Sequence, residues 1–111
     1  MFRPMTDSAS VVLCTCPDLA TARAMAGELV KERLAACVNL LPGVISVYRW
    51  EAQVESANEV MMIIKTSRRA LAGLEKRIST LHPYDVPEII ALDITAGLPA
   101  YLRWIDECVT P

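Results

Sequence analysis

The sequence predicts an α+β fold, and three observations lead to this prediction. The chain has 111 residues, the size of one ordinary domain. Short runs rich in Val, Ile and other β-formers alternate with segments whose apolar residues recur at helical spacing. The resulting order is strand, helix, strand, strand, helix, strand and a final helix, which is the order of a ferredoxin-like (split β-α-β) sandwich.

The first β-α unit is predicted from residues 10–33. Residues 10–16 form a β-branched run that ends at a Cys16-Pro17 step, and a helix is expected to begin near Asp18. Within residues 19–33 apolar side chains recur at i, i+3, i+4 and i+7, which predicts an amphipathic helix with one buried face. The residues that carry this pattern are Ala22, Met25, Ala26 and Leu29.

A long antiparallel hairpin is predicted next. Residues 35–50 are extended and interrupted at Pro42-Gly43, where proline removes a ladder donor and glycine permits a bulge. Residues 51–53 form a short connection, and residues 54–66 return as the partner strand. At ~3.3 Å per residue the first of these strands extends for ~50 Å, whereas a compact domain of this size has a radius of gyration of ~13 Å. The hairpin is therefore expected to protrude.

The second half of the chain is predicted to add two helices and one strand. A helix over residues 68–81 is expected to be capped by Ser67 and to stop at Pro83. Residues 89–94 are predicted to form the fourth strand, and residues 100–108 a terminal helix. The side chains that this last helix is expected to bury are Tyr101, Trp104, Ile105 and Cys108.

Composition and charge narrow the class of protein. The net charge is −2 and the basic residues form no stripe, so nucleic acid is not expected as a partner. No apolar run approaches the ~20 residues of a membrane helix, and residues 1–10 lack the apolar stretch of a secretory signal. We therefore expect a cytoplasmic protein with no membrane partner, a flexible tail over residues 1–9 and a single domain over residues 10–111.

Self-assembly is predicted from apolar residues that a monomer would leave in water. Hydrophobic residues make up 53% of the chain and charged residues 22%, which is apolar for a small globular protein. An overhanging hairpin would present an apolar strand edge, which natural proteins cover rather than expose. The apolar residues in question are Val44, Ile45, Val47, Tyr48 and Trp50.

Six stretches of the chain together resemble one known family. They are residues 13–18 (LCTCPD), 34–39 (LAACVN), 46–50 (SVYRW), Glu59 with Lys65-Thr66, 82–88 (HPYDVPE) and 101–105 (YLRWI). In order and spacing they resemble the CutA divalent-cation-tolerance family over residues 11–105. The resemblance implies a ferredoxin-like homotrimer whose hairpin arms pair between subunits, a cytoplasmic setting, and a link to tolerance of copper and other divalent metals. Cys16 departs from the family pattern, which usually has no cysteine there.

Cys14, Cys16 and His82 are the candidate metal ligands. The two cysteines lie two residues apart on a strand, so their thiols point to one face. Thiolates suit soft ions such as Cu(I) and, with further ligands, Zn(II). His82 is the only histidine and resembles the family histidine implicated in metal contacts; imidazole binds Cu(II) and Zn(II). Copper or another divalent cation is therefore the expected bound metal, and folding is not expected to require it.

Structural roles are the alternative for these residues. A free cysteine often behaves as a small buried hydrophobe, and a histidine at a helix end can bond the last carbonyls. Met61 and Met62 point to opposite faces of one strand, which argues against a joint thioether copper site and favours a role in filling gaps.

A second set of residues is expected to line clefts between subunits. Glu59, Lys65 and Glu88 lie on or beside strands, where a charge is costly unless paired or exposed. Lys65 could hold an anionic ligand, or these charges could form structural ion pairs. The aromatic residues suit subunit packing first and ligand stacking second. They are Tyr48, Trp50, Tyr101 and Trp104.

Two function hypotheses follow. The first is a cytoplasmic homotrimer that takes part in the response to divalent metals, copper above all, and binds them through thiolate and imidazole. The alternative is a signalling or scaffold trimer, similar in its use of clefts to the PII proteins, that binds a small anion or a protein partner. The chain is not expected to be an enzyme, because it has no phosphate loop, zinc-protease motif or nucleophile elbow and only four glycines.

Overall fold

Four β-strands and three α-helices make up the part of the chain that the computed structural model describes, residues 9–109. In chain order they are β1 (Ala9–Cys16), α1 (Leu19–Lys31), β2 (Cys37–Trp50), β3 (Gln53–Ser67), α2 (Leu71–Leu81), β4 (Ile90–Asp93) and α3 (Pro99–Cys108). The sheet has the order β2-β3-β1-β4, and each neighbouring pair is antiparallel. This is the split β-α-β arrangement, so the predicted α+β fold class is confirmed.

The main core lies between one face of the sheet and helices α1 and α2. Alternate residues of β1 point into it, because successive side chains of a strand face opposite sides. Val12, Cys14 and Cys16 are the β1 contribution, and each pairs across the sheet with a buried residue of β3. The β3 partners are Ile64, Met62 and Val60, and the main helix residues are Met25, Leu29, Leu74 and Ile78.

Helix α1 begins where the sequence predicts and ends two residues earlier. Asp18 caps it, since its Oδ1 accepts a hydrogen bond from the Thr21 N–H at 2.8 Å. The helix stops at Lys31 because Arg33 takes a left-handed conformation with φ +61°. The N–H groups of the next two residues then bond the carbonyl of Leu29, which closes the helix end.

The hairpin of β2 and β3 extends well beyond the helices, as predicted. The chain measures 53 Å along its longest axis and 25 Å and 23 Å across. The register shifts between Leu41 and Val44, around the predicted Pro42-Gly43 bulge, where Gly43 has φ +82°. The tip is a two-residue turn in which Glu51 and Ala52 both have positive φ, so β3 begins one residue earlier than expected.

The connection from β3 to β4 differs in detail from the prediction. One turn of 3-10 helix, Arg68–Ala70, precedes α2. The predicted cap at Ser67 is wrong: within the described chain its hydroxyl makes no capping bond and instead donates to Asp106 Oδ1 at 3.3 Å. Helix α2 ends before Pro83 as expected, and β4 is shorter than predicted.

Helix α3 buries Ile105 as predicted, but the rest of its buried face differs from the prediction. Leu102 and Ile105 are its buried residues, whereas Tyr101 and Trp104 are 41% and 42% exposed and Cys108 is half-buried. The prediction was wrong for Tyr101 and Trp104, because the helix has two apolar stripes and a patch of small residues on the domain packs against the one without aromatic rings. That patch consists of Ala9, Ala36 and Ala70, and Val109 packs with it.

The predicted tail over residues 1–9 lies outside the described residues except at its last member. Ala9 is the first residue of β1, pairs with Ser67 and is buried. The strand therefore starts one residue before the predicted domain boundary at residue 10, because Ala9 contributes to the patch that receives α3.

Candidate metal centre

Cys14, Cys16 and His82 meet at the end of β1. Both cysteine side chains are on the helix-covered face of the sheet and are 0% exposed, and His82 is 7% exposed. Their possible ligand atoms all lie within 4.8 Å of one another. The strand periodicity predicted that the two thiols share a face, and the fold brings the imidazole to them from the end of α2. We call these three residues the metal centre; their role as ligands stays a prediction at this point.

The imidazole of His82 is held at both nitrogens. Its Nε2 lies 2.8 Å from the carbonyl oxygen of Thr15, and its Nδ1 accepts a hydrogen bond from the Tyr84 N–H at 3.1 Å. These contacts fit a neutral ring that carries its proton on Nε2. The side chain thus fastens the turn after α2 to β1 and does not cap the carbonyls of α2. Nε2 can bind an ion only after it gives up its bond to Thr15.

Two methionine sulfurs surround the Cys16 thiol. Its Sγ lies 3.2 Å from the Sδ of Met62 on β3 and 3.8 Å from the Sδ of Met25 on α1. The Nε2 of His82 is 3.9 Å from the same Sγ. The sequence reasoning assigned Met62 to gap filling and Met25 to a helix core. The pairing of β1 with β3 could have revealed Met62, because it lies opposite Cys14.

The two thiols differ in acidity because each acts on the other. Hydrogen bonding from the Cys14 thiol lowers the pKa of Cys16, although burial opposes this change. The same interaction with Cys16, followed by burial, raises the pKa of Cys14. A thiolate is the form that binds metals, so Cys16 gives up its proton more readily than Cys14, and an incoming ion must displace the proton from Cys14.

A surface cleft of about 860 Å³ adjoins the buried metal centre. It includes four members of the predicted cleft set, namely Tyr48, Trp50, Glu59 and Glu88. Thr15, whose carbonyl accepts the hydrogen bond from His82, also lines the cleft. The cleft therefore reaches the residue that lies between Cys14 and Cys16 in the sequence. The lining residues that the sequence reasoning did not select are Thr15, Ser46, Val47, Tyr84, Asp85, Val86 and Pro87.

The remaining predicted cleft residues lie elsewhere. The ammonium group of Lys65 bonds the side-chain oxygen of Asn39 on the neighbouring strand. Tyr101 and Trp104 stack against each other on α3, with ring centroids 5.5 Å apart. Burial, followed by the neighbouring Cys37 thiol, raises the pKa of Tyr101. The single chain therefore divides the predicted set between separate surfaces.

Tyr84 connects the cleft to the metal centre. Its hydroxyl donates to Glu59 Oε2 at 2.7 Å, and its backbone N–H holds His82. Burial, followed by this bond to the carboxylate, raises the pKa of Tyr84. The cleft also carries Asp85 and Glu88, and none of the described residues that line it is basic. Its chemistry favours a cation over the predicted anion.

Comparison with known proteins identifies the family of this chain. The sequence matches the CutA1 divalent ion tolerance protein family over residues 10–108. The chain belongs to this family. The divalent-cation tolerance protein CutA of Thermus thermophilus is 48% identical to this chain over 97 residues, which make up 87% of this chain and 94% of the Thermus protein.

Solved structures carry the same fold. CutA from Xylella fastidiosa superposes with a TM-score of 0.91 at 42% identity, over 93% of this chain and 99% of that one. The periplasmic divalent cation tolerance protein CutA from Archaeoglobus fulgidus has a TM-score of 0.89 at 37% identity, over 92% and 99% of the two chains. Within residues 9–109, none of the helices is both long and apolar enough to cross a bilayer.

Proposed function

We propose that the protein responds to metal by binding a soft ion, copper above all, at Cys14, Cys16 and His82. One observation carries the proposal: two thiols of β1 and the imidazole that follows α2 bring their ligand atoms within 4.8 Å of one another. Thiolate and imidazole are ligands that copper accepts readily. Each chain offers one such centre among its described residues, which suits sensing better than bulk storage.

The position of His82 offers a way for a bound ion to affect the surface. An ion that takes Nε2 must break the bond to Thr15, which fastens the turn after α2 to β1. The same ring holds Tyr84, which holds Glu59 in the cleft. Metal binding is therefore expected to change the shape of the cleft, and a partner could recognise that change.

Metal titration of matched variants tests the proposal. The parent is titrated with Cu(I) without oxygen and with Cu(II) in air, next to a Cys14→Ser/Cys16→Ser variant and His82→Gln, whose amide can still donate to Thr15. We expect the double variant to lose at least about a hundredfold in copper affinity, because it lacks the ligands themselves. The matched control is Cys37→Ser/Cys108→Ser, which removes the two half-buried thiols. Equal affinity in the parent and the Cys14/Cys16 variant would refute the proposed site.

We further propose that the protein works as a cytoplasmic homotrimer and has no catalytic activity. The support for assembly is the apolar surface of the hairpin, where Ile45, Val47 and Trp50 are more than half exposed. Light scattering on the full chain should give three times the 12.2 kDa of one chain. A mass of one or two chains would contradict the trimer. Fractionation of cells that express a tagged chain tests the compartment, since the Archaeoglobus relative is described as periplasmic.

A second candidate function is ligand binding in the cleft, in the manner of a scaffold or signalling trimer. The observation that favours it is the combination of Tyr48, Trp50 and Tyr84 with three carboxylates in one cavity. Aromatic faces and carboxylates together suit an organic cation. Thermal-shift screening with organic cations and organic anions at equal concentrations tests this function, and stabilisation by neither class would count against it.

A further inference from the structure

We propose that the centre around Cys16 selects a monovalent thiophilic ion, Cu(I) or Ag(I), and uses the thioethers of Met25 and Met62 as ligands. This inference rests on the proposed metal function and identifies the class of ion that the site takes. We call Cys14, Cys16, Met25 and Met62 the sulfur cluster.

The spacing of the sulfur cluster matches that of ligands on one ion. Two sulfurs that each lie about 2.3 Å from a common metal ion are at most about 4.6 Å apart. The Cys16 Sγ is 3.2 Å from Met62 Sδ and 3.8 Å from Met25 Sδ. Both distances are below that limit, so an ion bound by Cys16 can reach either thioether with small side-chain adjustments.

The thioethers are more available than the imidazole. Both nitrogens of His82 already make hydrogen bonds, to Thr15 and from Tyr84. The Met25 and Met62 sulfurs receive only weak contacts from the Cys16 thiol. Soft thioethers select Cu(I), whereas zinc is bound by cysteine, histidine and carboxylate. The described donors nearest to Cys16 therefore favour Cu(I) over Zn(II).

The charge of the ligands gives an independent argument for a monovalent ion. The sulfur cluster is at most 3% exposed, and an uncompensated charge at such a place is costly. Met25, Met62 and a neutral His82 bring no charge, so a monovalent ion needs one thiolate to form a neutral site. A divalent ion needs both thiolates. Glu59, the nearby buried carboxylate, is directed to the cleft by its bond with Tyr84.

The chain provides one matched control for the two thioether ligands. Met61 lies next to Met62 on β3, and its side chain points to the other face of the sheet because successive side chains of a strand alternate. It is only half-buried. Leucine is close to methionine in size and shape, so the Met→Leu change removes sulfur and leaves the packing nearly intact. Met25→Leu, Met62→Leu and their combination are therefore compared with Met61→Leu. Circular dichroism and thermal unfolding verify that each variant is folded.

Affinity for Cu(I) is measured without oxygen by competition with bicinchoninate, and affinity for Zn(II) by competition with a chromophoric chelator. We expect the double Met25/Met62 variant to lose about tenfold or more in Cu(I) affinity while Zn(II) affinity changes by less than about twofold. Met61→Leu should change neither. X-ray absorption at the copper edge of the parent gives a second readout that needs no variant, and sulfur is expected to dominate the coordination.

The outcomes separate this inference from the proposed function. If the parent binds neither ion, the proposed metal function fails and the inference fails with it. If the parent binds Cu(I) and the Met25/Met62 variant binds it equally well, the metal function stands and the thioether inference is overturned. Copper coordinated mainly by nitrogen and oxygen, or a parent that binds Zn(II) more tightly than Cu(I), would overturn it as well.

Discussion

The base and the tip of the β2–β3 hairpin follow different rules, although one strand pairing runs through both. At the base, Met62 and Ile64 point under the helices and are 0% exposed. At the tip, Trp50 and Val54 are 62% and 71% exposed although the ladder continues to the last residue pair. Strand pairing thus satisfies the backbone in both regions, but helices bury side chains only at the base. The base is stabilised by its own chain, whereas the tip would gain cover only in the proposed assembly.

The largest contrast is expected between truncations of the two regions. Ile64→Ala at the base should lower the free energy of unfolding by about 2–5 kcal/mol, because it leaves a cavity in a closed core. Val54→Ala at the tip should lower it by less than about 0.5 kcal/mol in the dissociated chain, where water already surrounds the side chain. Urea unfolding at low protein concentration measures both. Equal losses at the two positions would break the comparison.

Charges at the tip test whether a partner covers it. In Ile45→Lys/Trp50→Lys the lysines replace apolar residues that are more than half exposed in the single chain. We expect the mass by light scattering to fall toward 12.2 kDa while circular dichroism stays that of the folded domain. Thr80→Lys on exposed α2 is the control for added charge. An unchanged mass would show that the tip is not an interface.

The turn at the tip offers a smaller test. Ala52 has φ +68°, a conformation that costs a residue with a Cβ about 1 kcal/mol more than glycine. Ala52→Gly should therefore raise the free energy of unfolding by a few tenths of a kcal/mol, since the added freedom of the unfolded chain offsets part of the gain. Ala57→Gly, within β3, should lower it. A decrease in both variants would show that the tip turn is not strained.

The smallest effect is expected from the titrating cap of α1, one of the helices that cover the base. The hydrogen bond from the Thr21 N–H lowers the pKa of Asp18 below its ordinary value. The stability from this charge is fully present above the unfolded pKa of about 3.9 and is lost as the pH falls through the lower folded value. Asp18→Asn keeps a capping acceptor but does not titrate. Between pH 5 and pH 2 the melting temperature of this variant should fall slightly less than that of the parent, because the variant lacks one titrating carboxylate. An identical fall in both proteins would contradict the role of Asp18 as a charged cap.

The sequence predicted the structure correctly where a local pattern of residues determines it. Alternation in β1 placed Cys14 and Cys16 on one face, and Pro42-Gly43 marked the bulge in β2. The prediction from sequence failed where two faces of one helix were equally suitable for burial. Helix α3 could bury either its aromatic stripe or Leu102 with Ile105, and the choice depends on small residues that only the folded chain gathers.

The candidate site was predicted in part for the same reason. Its two thiols follow from strand periodicity, and His82 was selected as the only histidine and by the family resemblance. The thioethers of Met25 and Met62 come from α1 and β3, so their approach to Cys16 depends on how helix and sheet pack. The bond from His82 to Thr15 likewise joins residues far apart in sequence. No local pattern specifies such contacts.

If the centre binds metal as proposed, the complete burial of Cys14 and Cys16 also determines how quickly it exchanges ions with solvent. With both thiols at 0% exposure, an ion reaches them only while the chain is locally open, and the turn that holds His82 and Tyr84 is the covering nearest to the cleft. At high ion concentration the loading rate should then level off at the opening rate of that turn, which stopped-flow mixing measures. A metal sensor with such slow exchange would average over brief fluctuations in metal supply and register sustained exposure.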